Sequence, residues 1–337
     1  MIKLLGPAVH RWWDGSLGRA GTTLDILTAP LSWAFAAAVR ARNRRFDRHG
    51  GASVDGVHVL SVGNLAVGGT GKTPVAAWIA RLLADLGQSV AVVARGYGRD
   101  ELMLHRRWNP DVQMVADPDR VAGVRRARAN GAEVAVLDDG FQHRRLARDL
   151  DVVLVAAEDP YPARMLPRGP FREPPNALAR AQVVVVTRRT ATKDEARSLA
   201  RRIAGEHGHL TVAVAALVPG GWQDLQGNSA DPPEGPTLSV AAVARPLAFA
   251  AQVTSASGSD TELVSFPDHH EYSGADARTL RARAGTRTLV VTEKDAVKLM
   301  ELAALVEPAR VLVQTLQWEE GEVALKSLVA SAATGKG

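Results

Sequence analysis

The sequence predicts an α/β protein: a mostly parallel sheet domain, a second and smaller α/β domain after it, and a helix lying in an interface ahead of both. Three observations predict this. Short, almost purely apolar runs at 57–62, 90–93, 112–115, 134–137, 152–156 and 183–187 read as strands covered on both faces. Helical periodicity at 75–86, 119–129 and 193–205 intervenes, giving the strand–helix–strand alternation of a parallel sheet. A basic, aromatic-rich front end precedes the first strand.

That front end sets the N-terminal element. Residues 1–50 carry eight Lys or Arg and three Asp or Glu, so they hold the whole net charge of +5 and leave the rest of the chain neutral. The charge distribution argues against a general nucleic-acid surface and for a segment that meets something anionic. Trp12, Trp13, Trp33, Phe35 and Phe46 interleave with Leu24, Leu27, Leu31, Ala34 and Ala38 at three- and four-residue spacing, followed by an arginine-rich exit. The run 24–39 contains Asp25 and Pro30 and is too short to span hydrocarbon about 30 Å thick. No small-residue cleavage pattern of a signal peptide follows it. A helix lying at membrane headgroup depth is the expectation, with 1–45 as its segment.

The first strand runs into Gly63-Asn64-Leu65-Ala66-Val67-Gly68-Gly69-Thr70-Gly71-Lys72-Thr73-Pro74. This is the order of a triphosphate-gripping loop: glycines that turn backbone N–H groups toward phosphate, a lysine for the outer phosphates, and a hydroxyl for Mg²⁺. Pro74 opens a helix whose positive end faces the same phosphates. The expected nucleotide contacts are Gly68, Gly69, Thr70, Gly71, Lys72 and Thr73, and the sheet is of the P-loop NTPase type. Ala66 stands where the strict pattern has glycine.

The strand at 134–137 ends in Asp138-Asp139-Gly140-Phe141-Gln142-His143. A carboxylate at such a strand tip completes a Mg²⁺ shell beside the loop threonine, because Mg²⁺ prefers hard oxygen ligands. Asp138 or Asp139 fits, with Thr73 as the second metal ligand. The loop 157–177 places Arg164, Arg168 and Arg172 among prolines, and a planar guanidinium recognises phosphate bidentately.

The remainder bounds the answer. The chain has 337 residues, 46% apolar and 23% charged, enough for two domains with cores of their own. There is no cysteine, which excludes disulfides, thiolate nucleophiles and cysteine-bound metals and fits an intracellular location. The Gly/Pro/Asp/Ser-rich stretch 219–236 is the expected boundary, giving a kinase domain over 46–218 and a smaller domain over 219–337. Strands are expected there at 238–243, 262–266, 288–292 and 311–316.

Six blocks, in order, carry a resemblance: the glycine loop, Arg95-Gly96-Tyr97-Gly98, Asp138-Asp139-Gly140-Phe141-Gln142-His143, Leu166-Pro167-Arg168-Gly169-Pro170-Phe171-Arg172-Glu173, Phe266-Pro267-Asp268-His269-His270 and Thr292-Glu293-Lys294-Asp295-Ala296. Together they resemble the tetraacyldisaccharide 4′-kinase (lipid A 4′-kinase) family. The resemblance implies ATP- and Mg²⁺-dependent phosphorylation of the 4′-hydroxyl of an acylated disaccharide 1-phosphate lipid. It also implies a peripheral, monomeric protein at the cytoplasmic face of the bacterial inner membrane. It implies site roles too. Asp100 and His269 are a proton-accepting pair meeting across the two domains, Glu173 is a further metal ligand, and Asn64, Arg95, Tyr97, Gln142, His143, Arg168 and Arg172 face substrate. Asp100 follows Arg99 directly, where the family has a longer segment and a glycine, so Asp138 or Asp139 remains an alternative base. Two other readings stand beside this one: a P-loop kinase of a soluble substrate, and a nucleotide-switched membrane-partitioning ATPase.

Overall fold

In the computed structural model, residues 7–13, 15–96 and 99–335 are described. The chain divides into two compact units. The first comprises Met1–Gly96, Trp108–Ala215 and Trp318–Gly337, and the second Tyr97–Arg107 and Ala216–Gln317.

The first unit opens with helices α1 (Pro7–Trp13) and α2 (Gly18–His49). Strand β1 (His58–Asn64), helix α3 (Lys72–Asp85) and strand β2 (Val90–Ala94) follow, and the next helix, α4 (Arg99–Trp108), falls almost wholly in the second unit. The chain then returns through β3 (Gln113–Ala116), α5 (Arg120–Ala129), β4 (Val134–Asp138), β5 (Leu150–Ala156), β6 (Val183–Arg188) and α6 (Lys193–Glu206). The strands lie in the order β3-β2-β4-β1-β5-β6, with every neighbouring pair parallel. Strands β2, β4 and β5 are buried at every position, as a sheet with helices on both faces requires. Each Val or Leu so buried contributes about 1.5–3 kcal/mol.

Strand β7 (Thr211–Gln223) leads from the first unit into the second. The second unit then holds β8 (Thr237–Ala241), α7 (Pro246–Ser257), β9 (Thr261–Ser265), α8 (Gly274–Ala284), β10 (Thr288–Thr292), α9 (Glu293–Leu299) and the short α10 (Ala303–Val306). Strand β11 (Ala309–Glu320) leads back to the first unit and α11 (Glu322–Thr334). Its strands lie in the order β11-β10-β8-β9, all parallel. Pro219 and Gly220, expected to mark a linker, are strand residues on an exposed stretch of β7, where a missing N–H costs little.

Helix α2 continues through Pro30 to His49 and so outruns the apolar stretch read from sequence. One stripe of it is docked on the first unit: Gly21, Ala29, Ser32 and Val39 are buried, and Ser32 donates to the carbonyl of Met165 at 3.0 Å. Arg164 pairs with Asp25 on the same stripe. The opposite side bares Ile26, Leu27, Leu31 and Trp33, each more than 60% exposed.

Candidate active site

Strand β1 delivers the chain to the glycine loop. Asn64, its last residue, is fully buried, and its Nδ2 donates to Thr70 Oγ1 at 2.9 Å, tying the two ends of the loop together. Ala66 is buried and bridges Phe171, so its methyl packs into the core where the strict pattern has glycine. Gly68 and Gly71 have φ of +115° and +89°, which a side chain disfavours. Gly71 caps α3 without a side-chain partner for the helix, leaving first-turn N–H groups at a positive helix end, the arrangement that receives phosphate. Two contacts from the end of β6 and just past it brace the loop: Thr187 donates to the carbonyl of Thr70 at 2.8 Å, and Arg189 to that of Gly69 at 2.7 Å.

Strand β4 brings the two acids alongside. Asp138 lies in register with Val62 of β1 and is 3% exposed. Asp139 has φ of +59°, a conformation that aspartate tolerates better than most residues. The turn is cramped, because Gly63 would place a Cβ 2.4 Å from that of Phe141. Asp139 Oδ1 lies 3.7 Å from Lys72 Nζ and 2.8 Å from Arg172. Burial pushes the Asp139 carboxyl up, but Lys72 and Arg172 outweigh it and hold the group well below the usual carboxylate range.

Of the expected substrate contacts, Asn64, Gln142, His143 and Arg172 gather here. Gln142 Nε2 donates to the carbonyl of Asn64 at 2.7 Å, and Arg172 also donates to the Asn64 side chain. Burial and then the charge of Arg120 push His143 down to about 4, so its imidazole is neutral near pH 7. Arg168 is half-buried on the same loop as Arg172, and Arg95 is exposed just beyond β2. Tyr97 lies outside the described residues.

Glu173 has other partners than a metal. It is fully buried, Arg42 and Asn43 of α2 bind its two oxygens, the latter at 2.7 Å, and Arg180 lies 3.4 Å away. A carboxylate so held pins α2 to the loop.

Asp100 and His269 both lie in the second unit, where sequence had set them on different domains. Arg99 begins α4, so Asp100 sits in the first helical turn, where the helix dipole favours a carboxylate. Asp100 is 1% exposed, and its oxygens lie 3.1 and 3.2 Å from Nδ1 of His269. His269 follows β9 with φ of +62° and donates its N–H to the carbonyl of Ala242 at 3.2 Å. Burial opposes ionisation of Asp100, yet the hydrogen bond from His269 and the charge of Lys294 carry it below the ordinary range. The same hydrogen bond raises His269 above its ordinary value against the cost of burial.

Among the described residues no three carboxylates or imidazoles cluster around a metal. That suits Mg²⁺ bound largely through water and phosphate oxygens, for which one or two protein oxygens suffice. Thr73, 6% exposed at the start of α3, and Asp138 or Asp139 at the tip of β4 are hard donors of that kind.

The sequence profile of the family described as tetraacyldisaccharide-1-P 4′-kinase matches residues 24–333. The chain belongs to the tetraacyldisaccharide 4′-kinase family. The tetraacyldisaccharide 4′-kinase of Anaeromyxobacter dehalogenans (strain 2CP-C) is 37% identical, over 86% of this chain and 85% of its own length. That of Syntrophus aciditrophicus (strain SB) is 32% identical, over 88% and 90%. A crystal structure of LpxK from Aquifex aeolicus, described as an "apo" form in complex with ATP, matches with a TM-score of 0.71 at 26% identity, covering 92% of this chain and 99% of its own. As a tetraacyldisaccharide 4′-kinase, the chain is an ATP-dependent phosphotransferase of the expected fold class. Its sequence left unassigned the loop braces Thr187 and Arg189 and the buried Asp295 and Lys298; the Thr292–Ala296 block was visible as a motif but carried no role.

Proposed function

We propose how this tetraacyldisaccharide 4′-kinase moves the γ-phosphoryl of ATP to the 4′-hydroxyl of a tetraacyldisaccharide 1-phosphate. The glycine loop and the first turn of α3 hold the phosphates, and Lys72 neutralises charge on the outer ones, exchanging Asp139 for phosphate oxygen. Thr73 and Asp138 or Asp139 would hold Mg²⁺, which when bound would supply further charge neutralisation. Phosphoryl transfer needs little beyond positioning and such neutralisation. The acceptor needs a base, because a sugar hydroxyl is a poor nucleophile. Asp100 accepts the Nδ1–H of His269, which fixes the tautomer and leaves Nε2 to take the hydroxyl proton as the oxygen attacks. The carboxylate then stabilises the imidazolium. The observation that carries this assignment is the 3.1 Å contact between Nδ1 of His269 and a carboxylate that is 1% exposed.

The lipid reaches this site from a membrane surface, at which the protein is a peripheral monomer on the cytoplasmic face. The support is α2, whose docked stripe uses polar contacts along its length while Ile26, Leu27, Leu31 and Trp33 face outward. Its hydropathy and length also satisfy a membrane span, but a helix held against a folded unit by Ser32 and Asn43 is better placed in the interface plane.

The test is transfer of label from γ-labelled ATP to disaccharide 1-phosphate lipid in mixed micelles. Acceptor-dependent ADP release with label on the 4′-oxygen supports the reading. Hydrolysis that ignores the acceptor would point instead to a nucleotide-switched ATPase.

A further inference from the structure

Behind the Asp100–His269 pair lies a buried ionic network that the reaction as described does not use. Lys298, on α9, is 3% exposed at its side chain, and its Nζ lies 3.7 Å from Asp100 and 3.7 Å from Asp295. The same ammonium donates to the carbonyl of His270 at 2.9 Å and stands 5.6 Å from the centre of the Tyr272 ring. Asp295 is fully buried and accepts from the Thr292 hydroxyl at 2.7 Å, the Tyr272 hydroxyl at 3.0 Å and the Ala242 N–H at 3.1 Å. Ala242 is also the residue whose carbonyl receives the His269 N–H.

The network thus braces the backbone that His269 hydrogen-bonds and the backbone that follows it. Asp295 fixes Ala242, Lys298 fixes the carbonyl of His270, and between them His269 keeps its left-handed conformation. The charge of Lys298 faces both carboxylates: the ammonium lies 3.7 Å from Asp100, which His269 and Lys294 also hold below the ordinary carboxylate range, and 3.7 Å from Asp295, whose complete burial pushes its carboxyl up. A buried charge is expensive unless it is paired, and Lys298 joins His269 and Lys294 in holding Asp100 ionised.

We infer that Lys298 is a positioning residue for the proton-accepting pair, acting on Asp100 through its ammonium and on His269 through the following carbonyl. This rests on the reading of Asp100 and His269 as the base. The other charged groups around the pair are Asp268, 3.8 Å from His269 Nε2, Lys294 paired with Glu101 at 3.3 Å, and Asp276, which holds His270 at 3.3 Å. All of them survive substitution of Lys298, so a change in the pH profile reports on that residue. Without its ammonium Asp100 loses the cation 3.7 Å from it whether or not Asp295 is ionised, so Asp100 and His269 both hold protons more tightly and the base is blocked to higher pH.

The experiment compares kcat against pH at saturating ATP for the wild type, Lys298→Met, Lys298→Arg and the double variant Lys298→Met with Asp295→Asn, which removes a cation and an anion together. The expected result is a loss on the order of tenfold near pH 7 in Lys298→Met and the double variant, smaller than the roughly 10² to 10⁴ of losing a general base outright. Their acidic limb should move up by about one pH unit, a change in protonation free energy of ordinary size for a lost ion pair. The rate should recover toward alkaline pH, the KM for ATP should stay put, and Lys298→Arg should keep the wild-type limb. A folded Lys298→Met or double variant with the wild-type limb overturns the inference, and so does failure of both to fold, which would make Lys298 a residue of the fold alone. Asp100→Asn is measured in parallel: full turnover there defeats the base reading itself, while its loss beside unaltered Lys298 variants defeats only the inference about Lys298.

Discussion

Asp100 and His269 are 169 positions apart in the chain and meet at 3.1 Å inside one compact unit. Each changes the other's proton affinity, Asp100 downward and His269 upward. A lowered carboxylate contributes stability above its unfolded value of about 3.9, lost as pH falls through its depressed value. A raised imidazole contributes stability below its unfolded value of about 6.5, lost as pH rises through its raised value. The contact therefore stabilises most between about pH 4 and 6.5.

Activity should run the other way, because proton acceptance needs the neutral imidazole. In calorimetry the Tm difference between wild type and His269→Ala is expected to be largest in that window and to shrink above it, where kcat/KM climbs as the imidazole loses its proton. A Tm difference that ignores pH would show that the contact carries no charge.

Lys72 faces Asp139 at 3.7 Å on one side and the phosphate loop on the other. Lys72→Ala and Thr73→Ala should each cost more than tenfold in kcat/KM, or about 1.4 kcal/mol of transition-state stabilisation, with circular dichroism unchanged. Between Asp138→Asn and Asp139→Asn, the one that removes the metal ligand should raise the Mg²⁺ concentration needed for half-maximal rate. Unaltered Mg²⁺ titrations in both would remove the metal from the tip of β4.

Glu173 should behave as a structural residue. Glu173→Ala strands the guanidiniums of Arg42 and Arg180 and the amide of Asn43, and breaking a buried pair costs about 3–5 kcal/mol. The expected outcome is a much lower Tm and weakened attachment of α2, with the Mg²⁺ titration of the surviving folded protein unmoved. A shifted Mg²⁺ requirement at wild-type Tm would restore Glu173 as a ligand.

Deleting residues 1–45 would remove Arg42 and Asn43 along with most of α2, so it confounds attachment with folding. Leu27→Glu and Trp33→Glu alter only side chains that are 69% and 67% exposed. Both should weaken flotation with anionic vesicles and raise the KM for lipid, leaving ATP hydrolysis and Tm alone. Undiminished flotation of the double variant would take the exposed face of α2 out of the membrane contact.

Much of this was legible because local signals agreed. Strand β1, the glycines and Lys72-Thr73 announce themselves within a dozen residues, and β4 ending in Asp138-Asp139 is equally local. Helix α4 was hidden because the breakers around Gly96 and Gly98 read as a plain turn, and only packing with the second unit makes its first turn a site. Strand β7 was hidden by Pro219 and Gly220, tolerable there because that stretch is exposed. The company of Glu173 could not be read in full, since Arg42 and Asn43 reach it from a distant part of the chain. Lys298 lies three residues from Asp295, a spacing too common to mark a network until β8, β9 and α4 bring Ala242, His269 and Asp100 to it.

The central claim, that Asp100 and His269 act as one unit on the acceptor hydroxyl, is tested most directly by a double-mutant cycle of Asp100→Asn and His269→Ala, read as kcat for label transfer to the disaccharide lipid at saturating ATP. The account predicts a loss of about 10² to 10⁴ for each single variant. The double variant should be little worse than either, as for residues acting together, with ATP affinity unchanged. Losses that add in full, or a His269→Ala enzyme at wild-type turnover, would contradict it and return the base to the Asp138-Asp139 tip.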